Sequence, residues 1–443
     1  MFKRKLYQDL LLWKNKYAGK RAVLIEGARR VGKSTLAYNF AINEYKSHII
    51  IDFANTSKNI LELFEDIHDL DIFFIRLQAE TGVTLYQRDS VIIFDEVQLF
   101  PKARQAIKYL VKDGRYDYIE TGSLISIKKN VKDIVIPSEE IKLQMNPMDY
   151  EEFCDAVGFD YNIIKKIYEL NKPIGDLTNR KLIRDFRIYI AVGGMPQAVE
   201  AFIQKKNFQE IDNIKRGIIE LYKDDLRKID PSGRLARIYE SIPSQLAAKR
   251  NKFSLKSATK TSKTSKDDER IFDLLDSKIV NICYNTTNAS ISLSQAIDSK
   301  KMKLYLSDTG LFVTMLFNSD NNDHEDIYKK LLSNKLELNL GYLYENVVSQ
   351  LIVANGRKLY YHTWPKDGSS HNYEIDFLII KNKKVIPIEV KSGKIKSHDS
   401  IDTFSKKYSN IVGNKYLISA KDVGKENDLL LKPFYLIERI ICG

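Results

Sequence analysis

The chain has 443 residues, 44% hydrophobic and 29% charged, a balance that excludes a fibrous, low-complexity or disordered protein and fits about two to four domains. Lys and Arg outnumber Asp and Glu 70 to 58, a net charge of +12 that favours an anionic partner such as a nucleotide, nucleic acid or acidic surface. Cys154, Cys283 and Cys442 stand far apart with no CxxC or Cys/His cluster, which excludes a disulfide framework and a zinc site and fits a reducing compartment.

In chain order, the N-terminal stretch offers only four consecutive apolar residues, 10–13, between charges. That is too short for a secretory core or a membrane span, and no later run approaches the ~18 residues a span needs. A cytoplasmic protein without membrane association is expected. Strands are predicted over 22–26, 48–53, 91–94 and 116–120, with amphipathic helices over 34–45 and 103–112 between them, the βαβ rhythm of a parallel sheet. Residues 149–230 read as helical, broken at the GGMP of 193–196. Residues 249–266 carry seven Lys/Arg and no acid; a small helical module, winged helix included, and a solvated linker both fit this stretch and the helical pattern that follows it. A last unit opens with a helix from 336 and continues with strands over 358–362, 373–380, 385–391 and 415–419.

The strongest local signal is Gly27-Ala28-Arg29-Arg30-Val31-Gly32-Lys33-Ser34, a full GxxxxGK[ST] match after a predicted strand and before a predicted helix. Such a loop wraps phosphates in backbone N–H groups, its lysine neutralises β/γ charge, and its hydroxyl is a Mg²⁺ ligand; the stretch through Thr35 is the expected nucleotide-binding segment. The run 91–96, VIIFDE, supplies Asp95 to hold Mg²⁺ through water and Glu96 to orient or deprotonate the attacking water, which favours hydrolysis over small-molecule phosphorylation. Thr121 and Ser123, at the exit of a third strand, are candidate γ-phosphate sensors. Asp52 reads as a loop cap, and Arg29, Arg30, Arg104 and Arg115 read as surface cations rather than trans-acting groups. ATP is preferred to GTP because no NKxD-like guanine reader is present.

Near the C-terminus, 373–380 and 385–391 flank KNKK and read as a hairpin. A turn centred between Asn382 and Lys383 places Asp376 opposite Glu389 and Glu374 opposite Lys391, on one face with Leu378, Ile380, Val385 and Pro387. The opposite face, with Phe377 and Ile388, is wholly apolar. Opposed carboxylates repel by roughly 0.2–1 kcal/mol, which a divalent cation held by Asp376 and Glu389 would relieve. Lys391 would position or activate water, and Glu345 would be a fourth acidic ligand. The alternative is a charged, solvated face. The pattern is similar to the D-xn-ExK arrangement of restriction-endonuclease-like nucleases.

With these pieces in order, the chain resembles a prokaryotic family of AAA+-like P-loop ATPases that carry a C-terminal domain of unknown function. The resemblance runs through LIEGARRVGKSTL, VIIFDEVQLFP, ETGSLI, NPMDYEEF, VGGMPQAV, KLYLSDTGLF, GYLYENVVSQ and EIDFLII…IPIEVKSG. It implies ATP and Mg²⁺ at Gly32, Lys33, Ser34, Asp95 and Glu96, and an endonuclease-like fold at Asp376, Glu389 and Lys391. Many relatives have Gln or Thr near Arg30 or Ser34, a conservative departure here. The expected fold is α/β: a P-loop parallel sheet with helices on both faces over 1–150, a helical region over 151–235, a winged-helix-like module over 236–318 and an endonuclease-like α/β domain over 319–443. The functional expectation is an ATPase acting on or near DNA; the alternative is a nucleotide-controlled interaction protein whose endonuclease-like fold is catalytically silent. A protein partner and an oligomer are compatible with either.

Overall fold

The computed structural model describes residues 1–123, 138–248, 252–259, 265–317, 324–333, 340–366, 368–369, 371–393 and 397–442. Residues 249–251 and 260–264 of the basic stretch lie outside the described residues. The chain divides into two compact units, Met1–Asn146 with Asp276–Lys278, and Pro147–Leu275 with Ile279–Gly443. Among the described residues, no helix is long and apolar enough to cross a membrane.

The first unit is built on β1 (Ala22–Gly27), β2 (Ser47–Asp52), β3 (Ser90–Asp95), β4 (Asp117–Gly122) and β5 (Glu140–Met145), in the order β2-β3-β4-β1-β5. Every pairing is parallel. The first four strands agree with the sequence reading to within two residues. The fifth escaped it because EIKLQM is a half-exposed edge with no continuous apolar run. Helices cover both faces. Leu24, Ile92, Phe94 and Tyr118 point into a core shared with α3 (Lys58–Leu63), α4 (Leu70–Thr81) and α5 (Pro101–Asp113). The alternate residues Val23, Ile25, Ile93 and Ile119 are equally buried, on the side where α1 (Leu6–Tyr17) and α2 (Lys33–Glu44) pack through Trp13 and Phe40.

One buried ion cluster interrupts the apolar core. Arg104, expected at the surface, is 1% exposed, its guanidinium bonded to Glu140 on β5 at 2.8 and 2.9 Å and to Glu120 on β4 at 3.3 Å. Lys142 also reaches Glu140, at 3.5 Å, and burial pushes Glu120 up to about 8 even against the pull of Arg104 and Lys142. Arg115 pairs with Asp113 and Asp71.

The second unit opens with helices Tyr150–Val157, Tyr161–Leu170, Asp176–Val192, Pro196–Ile203 and Phe208–Ile229, and the break falls at 193–196 as the glycines and proline require. Two sheets follow. One has the order β7-β6-β8-β9, from β6 (Val280–Thr286), β7 (Ile297–Leu306), β8 (Leu359–Pro365) and β9 (Asn372–Ile375). The other, β10-β11-β12-β14-β13, contains β10 (Phe377–Lys381), β11 (Lys384–Val390), β12 (Lys415–Ser419), β13 (Gly424–Glu426) and β14 (Leu429–Pro433). Strand β6 pairs with both β7 and β8, so residues on both sides of position 318 share one sheet. The helical pattern that follows the basic stretch stops at Asp276, and β6 begins at Val280.

Four sequence motifs meet in this unit. The main chain at Gly193, whose φ is +85°, comes so close to Gly310 that a Cβ on either would lie 2.7–2.8 Å from the other's Cα. Asp308 accepts the N–H groups of Gly194 (2.6 Å) and Leu311 (2.9 Å). From the helix Gly341–Ala354, Gln350 accepts from the Thr309 N–H and donates to the Tyr189 hydroxyl, while Asn346 brackets the backbone of Leu306. The Tyr189 hydroxyl in turn bonds the Met148 carbonyl. The motifs NPM, VGGM, SDTG and YENVVSQ are thus one buried joint.

Two expected outcomes follow from these contacts. Gly310→Ala forces backbone to move and is expected to lower the unfolding free energy by about 1–3 kcal/mol, read by urea denaturation. Because the folded chain holds the Glu120 proton more tightly than the unfolded chain, stability is expected to fall as pH rises from 4.5 to about 8. Glu120→Gln should flatten that limb in unfolding midpoints measured across the range.

Candidate functional site

Parallel registration brings the C-terminal ends of β1, β3 and β4 to one edge of the sheet, where Gly27, Asp95 and Thr121 emerge. The loop after β1 is shaped by two glycines. Gly32 has φ +100°, and a Cβ on Gly27 would lie 2.3 Å from the Met145 carbonyl, so neither position admits a side chain without distortion. Arg29 and Arg30 project outward, and Arg30 is left-handed at φ +68°. Helix α2 begins at Lys33, leaving its first N–H groups directed at the loop. Ala28, Val31 and Lys33 are buried, whereas Ser34 and Thr35 are exposed at the helix start.

Lys33 is 5% exposed, its ammonium bonded to the carbonyls of Ala28 at 3.0 Å and Gly27 at 3.2 Å. Burial lowers its proton affinity, while Glu96 and Asp95 oppose that shift. The Ser34 hydroxyl donates to Asp95 Oδ1 at 2.8 Å. Thr121 donates to the same oxygen, and accepts from the Glu96 N–H at 3.4 Å. Ser34 and Asp95, in direct contact at the phosphate loop, are the oxygen groups there that could hold a divalent cation. Asp52 caps its own loop by accepting from the Ala54 N–H at 2.9 Å. Ser123 lies just past β4 and is half-buried.

Two supporting residues, Gln98 and Arg4, escaped the sequence reading. Glu96 occupies left-handed backbone, φ +53° and ψ +44°, a strained conformation for a residue with a side chain and one that concentrates at functional sites. Its carboxylate accepts from the side-chain amide of Gln98, a partner two residues away that the DEVQ run already contained. Arg4 donates to the carbonyls of Val31 (2.9 Å) and Asn146 (2.6 Å), tying the phosphate loop to the end of β5. Nothing in the sequence signals that contact across 27 residues.

In the second unit the hairpin register is the one the turn predicts: Phe377 faces Ile388 and Ile380 faces Val385. Asn382 and Lys383, at φ +50° and +59°, form the two-residue left-handed turn that antiparallel strands favour. The predicted strand over 373–380 is nevertheless broken. Asp376 turns its Oδ2 onto the Val390 N–H at 2.8 Å, taking a ladder carbonyl's place, and the chain crosses into the other sheet. Glu374 therefore faces Thr363 on β8 rather than Lys391. The face expected to be polar is also covered, since Leu378 and Val385 are fully buried. Glu389 is 2% exposed; burial raises its carboxyl, and Lys391 at 3.6 Å opposes that rise. Glu345 and Glu374, expected in the acidic set, are drawn to Lys303 instead. Among the described residues, no group of three or more His, Cys, Asp or Glu side chains is placed to hold a metal ion.

Residues 19–154 match the family model of the AAA domain. The chain carries an AAA+-like, ATP-binding P-loop domain. Residues 183–322 and 340–431 match two domains of unknown function, DUF8612 and DUF4143. Comparison with curated proteins gave no match. Similar solved structures include a Walker-type ATPase of Pyrococcus abyssi, at 17% identity and TM-score 0.42, covering 71% of this chain and 96% of that one. They also include the Holliday junction branch migration motor RuvB of Thermotoga maritima, at 13% identity and TM-score 0.28, covering 63% and 89%. A STAND signal-transduction ATPase of Pyrococcus horikoshii matches at 11% identity and TM-score 0.29, covering 79% and 48%.

Arg4→Ala removes both backbone tethers of the loop. Loss at the loop of the ~1.4 kcal/mol of one charge-assisted bond would weaken ATP binding about 10-fold. Titration with a fluorescent ATP analogue measures this.

Proposed function

We propose that this chain is a Mg²⁺-dependent ATPase that acts on or near DNA. The observation that carries the hydrolytic reading is the sharing of Asp95 Oδ1 by Ser34 and Thr121, with Glu96 fixed beside it in left-handed backbone. In this reading the loop N–H groups and the start of α2 receive the phosphates, and Lys33 exchanges its two carbonyl partners for β/γ oxygens. Mg²⁺, held by Ser34 and Asp95, would neutralise charge on the bridging oxygens. Glu96 orients the attacking water and takes its proton, Gln98 restricting the carboxylate to one direction. Thr121, its hydroxyl committed to Asp95, couples the position of that carboxylate to β4 in place of the direct γ-phosphate contact expected of it; Ser123 is the other candidate sensor of the γ-phosphate.

The DNA part of the reading rests on the +12 net charge, which suits sequence-independent phosphate contacts. Lys33→Ala is expected to abolish phosphate release from ATP. Glu96→Gln is expected to slow it by about 10²–10⁴-fold while ATP is retained. DNA affinity, followed by fluorescence anisotropy, should fall steeply with added salt. Failure of the purified chain to retain ATP with Mg²⁺ overturns the first part, and salt-insensitive or absent DNA binding overturns the second.

A further inference from the structure

The hairpin of the second unit holds more charge than its own sequence supplies. Lys303, on β7 opposite Cys283, is 6% exposed. Its ammonium is bonded to Glu374 and lies 3.7 Å from Glu345. The Tyr305 hydroxyl donates to Glu345 at 3.0 Å, and the Tyr361 ring lies under the ammonium at 5.2 Å. On the other side of Asp376, Lys391 pairs with Glu389 at 3.6 Å, while Asp376 itself is spent on the Val390 N–H. Three carboxylates are thus distributed over two ammonium groups, which together bring the charge of one divalent ion, and the main chain holds the fourth. A hydrated Mg²⁺ or Mn²⁺ would have to displace an ammonium already seated between Glu374 and Glu345.

We infer that Lys303 stands in for the divalent cation of the carboxylate hairpin, so that Lys303, Glu345 and Glu374 form a metal-free ion cluster that fastens β7 to β9 and to the helix Gly341–Ala354. The cluster joins residues 71 and 42 positions apart in sequence to Lys303. The stand-in is independent of whether the P-loop hydrolyses ATP.

The test uses the full chain without nucleotide, with Asp95→Asn in every sample to silence the phosphate-loop metal site. Bound Mn²⁺ is counted by electron paramagnetic resonance, and thermal midpoints are taken with and without millimolar Mn²⁺. With Lys303 present, Glu389→Gln is expected to leave Mn²⁺ uptake unchanged, and Mn²⁺ should leave the midpoint unchanged. Lys303→Met is expected to lower the midpoint, and Mn²⁺ should restore part of the loss with uptake of one ion per chain. Uptake of one Mn²⁺ by the Lys303 chain that Glu389→Gln abolishes overturns the inference. So does a folded Lys303→Met chain that takes up none. The Glu389→Gln comparison decides the matter even where Lys303→Met does not fold.

Discussion

The parallel alignment of β1, β3 and β4 is the constraint on which the nucleotide site depends. Hydrogen-bonded registration sets Ile25 beside Thr121 and Phe94 beside Glu120, so three strands end at one level. Residues from positions 27, 95 and 121 are then carried to one edge without a long side chain having to reach. An antiparallel neighbour would have presented a strand start there, with no helix N-terminus to follow. The loop's glycines and the tether from Arg4 refine a geometry that strand order has already imposed.

In the second unit the comparable constraint is close backbone approach. Gly193 and Gly310 touch through their main chains, and the N–H groups exposed by that contact are satisfied by Asp308. Removal of backbone groups from water without partners is costly, so a buried carboxylate that accepts two of them is a structural component. The Asp, Thr, Asn and Gln side chains of these motifs are occupied with one another and with the backbone.

Buried charge is handled in two ways. At Arg104, a guanidinium joins Glu140, which Lys142 also reaches, to Glu120, whose carboxyl burial pushes up. At the hairpin, Lys303 of β7 and Lys391, just past β11, are interleaved among the acids. Both follow from the high cost of an unpaired ion in a low-dielectric interior, and Arg104 and Lys303 reach their acids from a different strand or helix.

The sequence by itself determined the phosphate loop, the strand that ends in Asp95 and Glu96, the alternation of four strands with helices, and the hairpin register. Each rests on local information: a loop spacing, an apolar run, a two-residue turn. Only the tertiary structure decided the half-exposed edge strand β5, the crossing of the chain between sheets at Asp376, the covering of both hairpin faces, and the partners Arg4, Arg104 and Lys303. Those depend on which element packs against which, and an ion pair or a backbone tether formed across tens of residues leaves no periodicity for a sequence to display.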